Sequence, residues 1–163
     1  SIQEIIASQE ALQNNMEMMA ADARNGSPDS VIATLLANRS LASRTFFFRR
    51  ATYATLLSSG NLQYIDNAEL RLRLAQVYEQ DYSRLEVNGD IADQIYQGLF
   101  HPALLRYWDY LRQQPIPNSA EAAIQLSNAC IRVKEFSIFY VNLLRGQLNT
   151  LRTLRSSVES HAR

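Results

Sequence analysis

The fold is decided by residues 118–160, which read NSAEAAIQLSNACIRVKEFSIFYVNLLRGQLNTLRTLRSSVES. Apolar residues recur in this stretch at intervals of three, four or seven, which places them along one face of an α-helix. This apolar stripe consists of Leu126, Cys130, Val133, Tyr140, Leu144, Leu148, Leu151 and Val158, and it is widened by Ile124, Ile131 and Ile138. Asn118 and Glu121 have the spacing of a capping box, so we predict a helix from this pair to about residue 160, roughly 60 Å long.

The N-terminal part of the chain shows the same helical spacing in separate blocks. Residues 2–24 are predicted to form one amphipathic helix, because the acidic residues lie off the apolar stripe. Residues 27–28, a Ser-Pro pair, have the residue types of a helix start, and a short helix is expected after them. We expect a break or bend over residues 39–43. The helical pattern then covers residues 46–59, and Gly60 is predicted to end that helix in a left-handed conformation.

A third and longer helix is predicted to begin at Asp66, which has capping-box spacing with Glu69. Beyond this start, one face stays apolar for about 30 residues, or roughly 45 Å. Asn88 and Gly89 are turn-prone residues inside this stretch, but the uninterrupted spacing favours a continuous helix. Pro102 is expected to bend or break the helix, since proline cannot donate a hydrogen bond to the carbonyl four residues earlier.

The residues after Pro102 and the apolar spacing along the whole chain predict the fold class. A short aromatic helix through Leu104, Leu105, Trp108 and Leu111 is expected after Pro102. No segment alternates apolar and polar residues in the way that a half-buried strand does. We therefore predict an all-α fold, an antiparallel up-and-down bundle of about four main helices, some of them long or kinked. The length of 163 residues fits a single domain that spans residues 1–163.

The distribution of charge predicts which helices are neighbours. Residues 1–30 contain five acidic residues and one arginine, whereas residues 142–163 contain four arginines and one glutamate. The first and last helices are therefore expected to lie side by side, although ordinary solvated faces would give the same composition. Each exposed ion pair contributes about 0 to 1 kcal/mol, so such pairs select neighbours more than they stabilise the bundle.

Composition excludes several classes of function. Sixteen basic and sixteen acidic residues give zero formal charge, which argues against a nucleic-acid-binding protein. Cys130 is expected to be a small buried hydrophobic residue, and two histidines are too few for a usual zinc site. The sequence lacks haem-binding, di-iron and nucleotide-phosphate motifs, so we predict no cofactor and no metal. His101 has no nucleophile or carboxylate partner at a recognisable spacing, and we predict a protein that is not an enzyme.

One motif lies at the corner between the predicted second and third helices. Residues 49–71 read RRATYATLLSSGNLQYIDNAELR. They resemble an uncharacterised bacterial family of single-pass membrane proteins, in which a Thr-Tyr-x-x-Leu-x-Ser-Ser-Gly-Asn-Leu segment precedes an Asn-x-Glu-Leu-Arg helix start. The matching residues are Thr52, Tyr53, Leu56, Ser58, Ser59, Gly60, Asn61 and Leu62, followed by Asn67, Glu69, Leu70 and Arg71.

The resemblance implies an N-terminal membrane anchor followed by an extracytoplasmic helical domain of unknown activity. The sequence contains no stretch of about 20 apolar residues of the kind that forms a membrane helix, so we expect such an anchor to precede Ser1. Ile2, Ile5 and Ile6 already have helical spacing, as trimming inside a longer helix would leave.

Two interpretations of the motif are open. In the first it is a structural corner, because Gly60 permits a left-handed turn and apolar residues fold back over the helix end. In the second a small anion or carboxylate site forms beside the corner, since arginine side chains match such ligands. The residues of this candidate site are Arg49, Arg50, Tyr53, Asn61 and Arg71.

These observations lead to an expected function that rests on fold-level analogy. We expect a non-enzymatic extracytoplasmic domain of a membrane-anchored bacterial protein, which acts by binding a protein partner or a small ligand in sensing or scaffolding. The alternative is a cytoplasmic helical adaptor or a homodimerisation module, with the first and last helices at the interface. Both are compatible with a homo-oligomer.

Overall fold

The computed structural model describes residues 1–25, 32, 35–36, 41–48, 51–117 and 120–161. The helices of these residues are α1 (Ile2–Asn25), α2 (Ala51–Ser58), α3 (Ala68–Ala75), α4 (Tyr82–Ile95), α5 (His101–Tyr107) and α6 (Ala120–His161). A 3-10 turn spans Asn61–Tyr64, and π-helical turns span Gln76–Asp81 and Tyr96–Phe100. Strands β1 (Trp108–Asp109) and β2 (Gln114–Pro115) form a short antiparallel hairpin. The described residues therefore form an all-α helical bundle, as predicted. The predicted helix start at residues 27–28 and the predicted cap at Asn118 lie outside them.

α1 and α6 lie side by side and run antiparallel, which confirms the neighbours predicted from charge. Glu17 pairs with Lys134 at 3.0 Å and Glu10 pairs with Arg145, so the chain directions of the two helices are opposed. Most of the predicted apolar stripes of both helices are buried in the cores that they share with the rest of the bundle, whereas Ile124, Ile131, Ile138 and Val158 of the α6 stripe are exposed. Buried members of these stripes include Leu12, Met16, Met19, Leu126, Cys130, Tyr140 and Leu144.

α3, α4 and α5 follow one another as a continuous helix from Ala68 to Tyr107, with the two π-helical turns between them. We call this element the segmented helix. It contains the Asn88-Gly89 pair inside α4, so the predicted continuation of helix is confirmed. Of the bend or break expected at Pro102, the break does not occur, because α5 holds this proline in its first turn, directly after a π-helical turn. A π turn alters the hydrogen-bond ladder, so the missing N–H interrupts no regular α-helical pattern.

The segmented helix begins one residue later than the sequence predicted. Its cap is Asn67, whose side-chain oxygen accepts a hydrogen bond from the Leu70 N–H at 3.0 Å. The predicted capping box of Asp66 and Glu69 is therefore wrong, and Glu69 pairs instead with Arg73 at 2.7 Å. Asn and Asp are about equally good caps, so residue preference did not separate the two adjacent positions.

Residues 42–48 contain no helix, whereas the sequence predicted helix from Phe46 onward. Phe46 and Phe48 pack on Tyr82 with ring centroids 5.3 Å and 4.3 Å away, while Phe47 is 87% exposed. This alternation is typical of an extended chain, in which successive side chains point to opposite sides. The helical prediction is wrong here because three consecutive phenylalanines also fit a period of two.

Residues 42–48, which we call the extended segment, pass close to α4 at Gly89. A Cβ atom on this glycine would lie 3.1 Å from the Tyr140 Oη atom and 3.3 Å from the Thr45 Cβ atom. The Thr45 hydroxyl donates a hydrogen bond to the carboxylate of Asp93 at 3.0 Å, which holds the segment in place. Glycine in a helix interior costs about 1 kcal/mol relative to alanine, and this close approach is the structural reason for it here.

Gln9 of α1 fixes the same segment from the other side. Its Nε2 atom donates to the Arg44 carbonyl at 2.7 Å, and its Oε1 atom accepts from the Ser137 hydroxyl at 2.7 Å. The side chain is only 1% exposed, so it is a buried polar group whose donor and acceptor atoms are both used. Gln9 therefore connects α1, α6 and the extended segment.

The short aromatic helix predicted after Pro102 is confirmed for Leu104 and Leu105, which lie in α5, and is wrong for Trp108 and Leu111, which lie beyond its end. α5 ends at Tyr107, and Trp108 begins β1 opposite Pro115 of β2. The Asp109 carboxylate accepts a hydrogen bond from the Leu111 N–H at 2.9 Å, which stabilises the turn between the strands. The expectation of no strands is thus corrected by one short hairpin between the segmented helix and α6.

Candidate functional site

A groove of about 720 Å³ lies between the first half of the segmented helix and the second half of α6. We call it the polar groove, because amide, hydroxyl and charged side chains form most of its rim. On the segmented helix it is lined by Arg73, Gln76, Val77, Asp81, Arg84 and Leu85. On α6 it is lined by Asn142, Leu143, Gly146, Gln147, Asn149, Thr150, Thr153 and Leu154. Its size lies within the range usual for small-molecule sites.

The π-helical turn Gln76–Asp81 shapes one wall of the polar groove. Side chains four positions apart lie on the same side of a helix. Val77, Asp81 and Leu85 are spaced in this way, and all three line the groove. Asp81 therefore adds a carboxylate to a wall whose other side chains are basic, apolar or, at Gln76, an amide.

The charges on the rim of the polar groove are not equivalent. Arg73 is engaged by Glu69 at 2.7 Å, on the outer surface of the segmented helix. Arg84 is exposed, and its guanidinium forms no salt bridge within the described ranges. Its five N–H donors are therefore available to a ligand in the groove, and they match a carboxylate or a phosphate.

The inner part of the polar groove contains a buried amide without a hydrogen-bond partner. Val77, Leu85 and Leu154 are buried here, and Gln147 lies among them with 6% exposure. The Nε2 atom of Gln147 has no hydrogen-bond partner. A buried donor left unpaired costs about 1 to 3 kcal/mol.

The anion site predicted at the helix corner is only partly within the described structure. Arg49 and Arg50 lie outside the described residues. Tyr53 is buried, stacks on Tyr78 with ring centroids 4.4 Å apart, and donates its hydroxyl hydrogen to the Glu79 carboxylate at 2.9 Å. Burial, followed by the hydrogen bond to Glu79, raises the pKa of Tyr53 to about 12.

The remaining residues of that predicted site also serve the corner itself. Gly60 has a φ of 70°, the left-handed conformation expected of it. Asn61 is exposed, and its N–H donates to the Ser59 hydroxyl oxygen at 3.4 Å. The Arg71 guanidinium donates to the carbonyl oxygens of Ile65 and Asp66. Tyr53 and Arg71 are thus each engaged by groups of the corner, which favours the structural-corner interpretation.

A second groove contains His101 and Asp93 at the π-helical turn Tyr96–Phe100. The imidazole packs against the rings of Tyr96 and Phe100, with centroids 4.9 Å and 5.9 Å away. Asp93 already accepts the hydrogen bond from Thr45, and no hydrogen bond joins it to His101 in the described part of the chain. The imidazole is therefore held by aromatic packing, and the Asp93 carboxylate is engaged by Thr45.

Cys130 and the potential metal ligands offer no further site. The cysteine is fully buried, and burial raises the pKa of its thiol to about 12, so it stays protonated and unreactive at neutral pH. Across the ranges that the structure describes, no group of three or more His, Cys, Asp or Glu side chains is placed to hold a metal ion.

The sequence contains one signal for the polar groove that was not used in predicting a site. Gln147 falls on the apolar stripe of α6, three residues after Leu144 and four before Leu151. A polar residue at a stripe position is either paired inside the bundle or faces a ligand. Arg84 and Asp81 carry no such signal, because their placement depends on the π-helical turn.

Comparison with known proteins identifies no activity. A family of unknown function (DUF6090) matches residues 29–101, which include the corner motif and the segmented-helix wall of the polar groove. The α6 wall lies outside this match, and this part of the chain is thus similar to an uncharacterised family. Neither the curated proteins nor the solved structures gave a significant match to the chain. No helix in the described ranges is both long enough and apolar enough to span a membrane.

Proposed function

We propose that this chain is a non-enzymatic helical domain that binds a small amphiphilic carboxylate in the polar groove. The observation that carries the proposal is the buried, unpaired amide of Gln147, which lies on the apolar inner wall of an otherwise accessible groove. A folded protein keeps such a group at a cost in stability, and a functional site is one of the reasons for which that cost is retained.

The composition of the groove supports this ligand class. Arg84 provides a forked cation for the carboxylate, and Gln147 provides a donor for a second oxygen atom such as an amide carbonyl. Val77, Leu85 and Leu154 provide an apolar surface for an aliphatic group. N-acetylleucine combines these three features in one small molecule and is a suitable first probe.

Binding is tested by a thermal-shift titration with N-acetylleucine, citrate and inorganic phosphate. At a ligand concentration of 100 Kd, linkage adds about 2.7 kcal/mol, which raises the Tm of a protein of this size by roughly 5 to 11 °C. We expect that shift with N-acetylleucine and a clearly smaller one with phosphate.

Variants assign any thermal shift to the polar groove. Arg84→Ala should remove most of the shift, whereas Arg112→Ala, which changes an exposed arginine in the hairpin turn, should keep it. No shift with N-acetylleucine, or equal shifts in both variants, would contradict the proposal.

We further propose that the domain acts in sensing or scaffolding on the extracytoplasmic face of a bacterial membrane, held by an anchor outside the 163 residues. This part rests on the resemblance of the corner motif to single-pass membrane proteins. The alternative is a cytoplasmic adaptor. The gene sequence upstream of Ser1 distinguishes the two alternatives. Codons for about 20 consecutive apolar residues would support the membrane anchor, and an upstream sequence that encodes only polar residues would support the cytoplasmic adaptor.

A further inference from the structure

The outward side of the segmented helix carries an apolar strip that the described residues leave exposed. Its members are 37% to 63% exposed and comprise Val87, Ile91, Leu99 and Leu105. The opposite side of the same helix is buried in the bundle through Leu85, Tyr96, Phe100 and Leu104. The strip lies outside the polar groove, so the proposed ligand site leaves it unexplained.

Charges at the two ends of this strip are opposite in sign. Asp90 is exposed at one end and forms no salt bridge within the described ranges. Arg106 is exposed at the other end, where its guanidinium donates to the neutral amide oxygen of Gln125 at 3.1 Å. Gly98 lies eight residues from each of them. If two copies of the strip are packed antiparallel with Gly98 facing Gly98, Asp90 of each copy faces Arg106 of the other. The charges of the two copies are therefore complementary.

Gly98 is also the position at which two helices can approach most closely. A Cβ atom built on it would meet no heavy atom within 4 Å, so its surface is open to solvent. Small residues allow helix backbones to come near one another at a crossing point. A shallow groove of about 380 Å³, lined by Leu99, Pro102 and Ala129 among others, opens beside it toward α6.

We propose that a second copy of this chain packs antiparallel on the strip, with the two-fold axis passing near Gly98. In this arrangement Asp90 of each copy faces Arg106 of the other, and Ile91 of each copy packs by Leu105 and the shallow groove of the other. The interface is isologous, as in most homodimers. The interface is centred on the segmented helix, because most of the apolar stripes of α1 and α6 is already buried within one chain.

The size of the face is sufficient for a stable dimer. From Val87 to Arg106 the strip is 20 residues long, or about 30 Å. Ile124 and Ile131 of α6 are also exposed and extend the apolar surface across the shallow groove. A face of this length and two helices in width is on the order of the 800 Å² that each partner buries in a standard interface.

Light scattering coupled to size exclusion tests the dimer over a series of protein concentrations. We expect a mass about twice 18.5 kDa for the unaltered chain. Asp90→Arg and Arg106→Asp should each give a monomer, because like charges then face each other. Glu159→Arg, a charge reversal near the end of α6, is the matched control and should remain dimeric.

An equimolar mixture of the two charge-reversed variants makes the test independent of misfolding. In the mixed dimer, the arginine introduced by Asp90→Arg in one copy faces the aspartate introduced by Arg106→Asp in the other. This end of the interface therefore again has opposite charges. The other end keeps the original pair of Asp90 and Arg106, and both ends are therefore attractive. We expect the mixture to recover the dimer mass. A mass near 18.5 kDa for the unaltered chain at all concentrations, variants that remain dimers, or a mixture that stays monomeric would overturn the proposal.

Discussion

Replacement of Gln147 by leucine should make the protein more stable. The Nε2 atom of Gln147 is buried without a hydrogen-bond partner, and such a group costs about 1 to 3 kcal/mol in the folded state. Leucine has a similar volume, and Leu143 and Leu154 already line this part of the groove. We therefore expect the free energy of unfolding to rise by about 1 to 2 kcal/mol in the absence of ligand.

Gln9→Leu is the matched control, because Gln9 is a second buried glutamine whose polar atoms are paired. Its side chain bonds to the Arg44 carbonyl, to the Ser43 hydroxyl and to the Ser137 hydroxyl. A typical hydrogen bond contributes about 1 kcal/mol, so this substitution should lower the free energy of unfolding by about 2 to 3 kcal/mol. The same chemical change thus has opposite expected signs at the two sites.

Urea unfolding followed by far-UV circular dichroism measures both effects. The midpoint should move up for Gln147→Leu and down for Gln9→Leu, with little change in the m-value. A loss of stability at Gln147 as large as that at Gln9 would contradict this explanation. It would mean that the Gln147 amide is satisfied within the folded protein and that the groove holds no unpaired donor.

Two further predictions concern the close approach at Gly89 and the buried titratable groups. Gly89→Ala should lower the free energy of unfolding, because the added Cβ atom would crowd Thr45 and Tyr140. Gly146→Ala should raise the free energy of unfolding by about 0.5 to 1 kcal/mol, since a Cβ atom at this position meets nothing within 4 Å. Equal gains in urea unfolding would be inconsistent with the close approach. Stability should also fall as the pH rises from about 9 toward 12, because the unfolded chain releases protons that the folded chain retains. Burial raises to about 12 the pKa of Tyr96, Cys130 and Tyr140. A Tm that stays constant over this pH range would be evidence against their burial.

The main helices could be predicted from the sequence because their apolar spacing is long and regular. Residues 2–24 were predicted for the first helix and Ile2–Asn25 are observed, while the last helix was predicted to about residue 160 and ends at His161. The opposite charges of these two helices also placed them correctly as neighbours. Helices with apolar stripes of this length are stable in water when the stripes are buried against each other.

The secondary-structure predictions were wrong where the local sequence is compatible with two backbone conformations and only tertiary contacts select one of them. Phe46 and Phe48 fit a helix or an extended chain, and their contacts with Tyr82 select the extended form. Pro102 was expected to disturb the helix, and a π-helical turn accommodates it. The cap shifted from Asp66 to Asn67, because adjacent residues had similar capping preference.

The polar groove was less predictable than the helices. Its two walls come from segments more than 50 residues apart, and the registry of one wall depends on a π-helical turn. The predicted anion site was instead placed on arginines that were close in sequence. Arg71 of that site donates to backbone carbonyls at the corner, so proximity in sequence did not indicate availability for a ligand.

Ligand binding in the polar groove can be observed at its proposed centre by NMR of the Gln147 side-chain amide during titration with N-acetylleucine. We predict that this resonance moves and saturates together with the Arg84 and Thr150 signals, while the Arg112 signals stay fixed. Groove resonances that do not move at saturating N-acetylleucine, or shifts confined to other parts of the bundle, would show that the groove is not the ligand site.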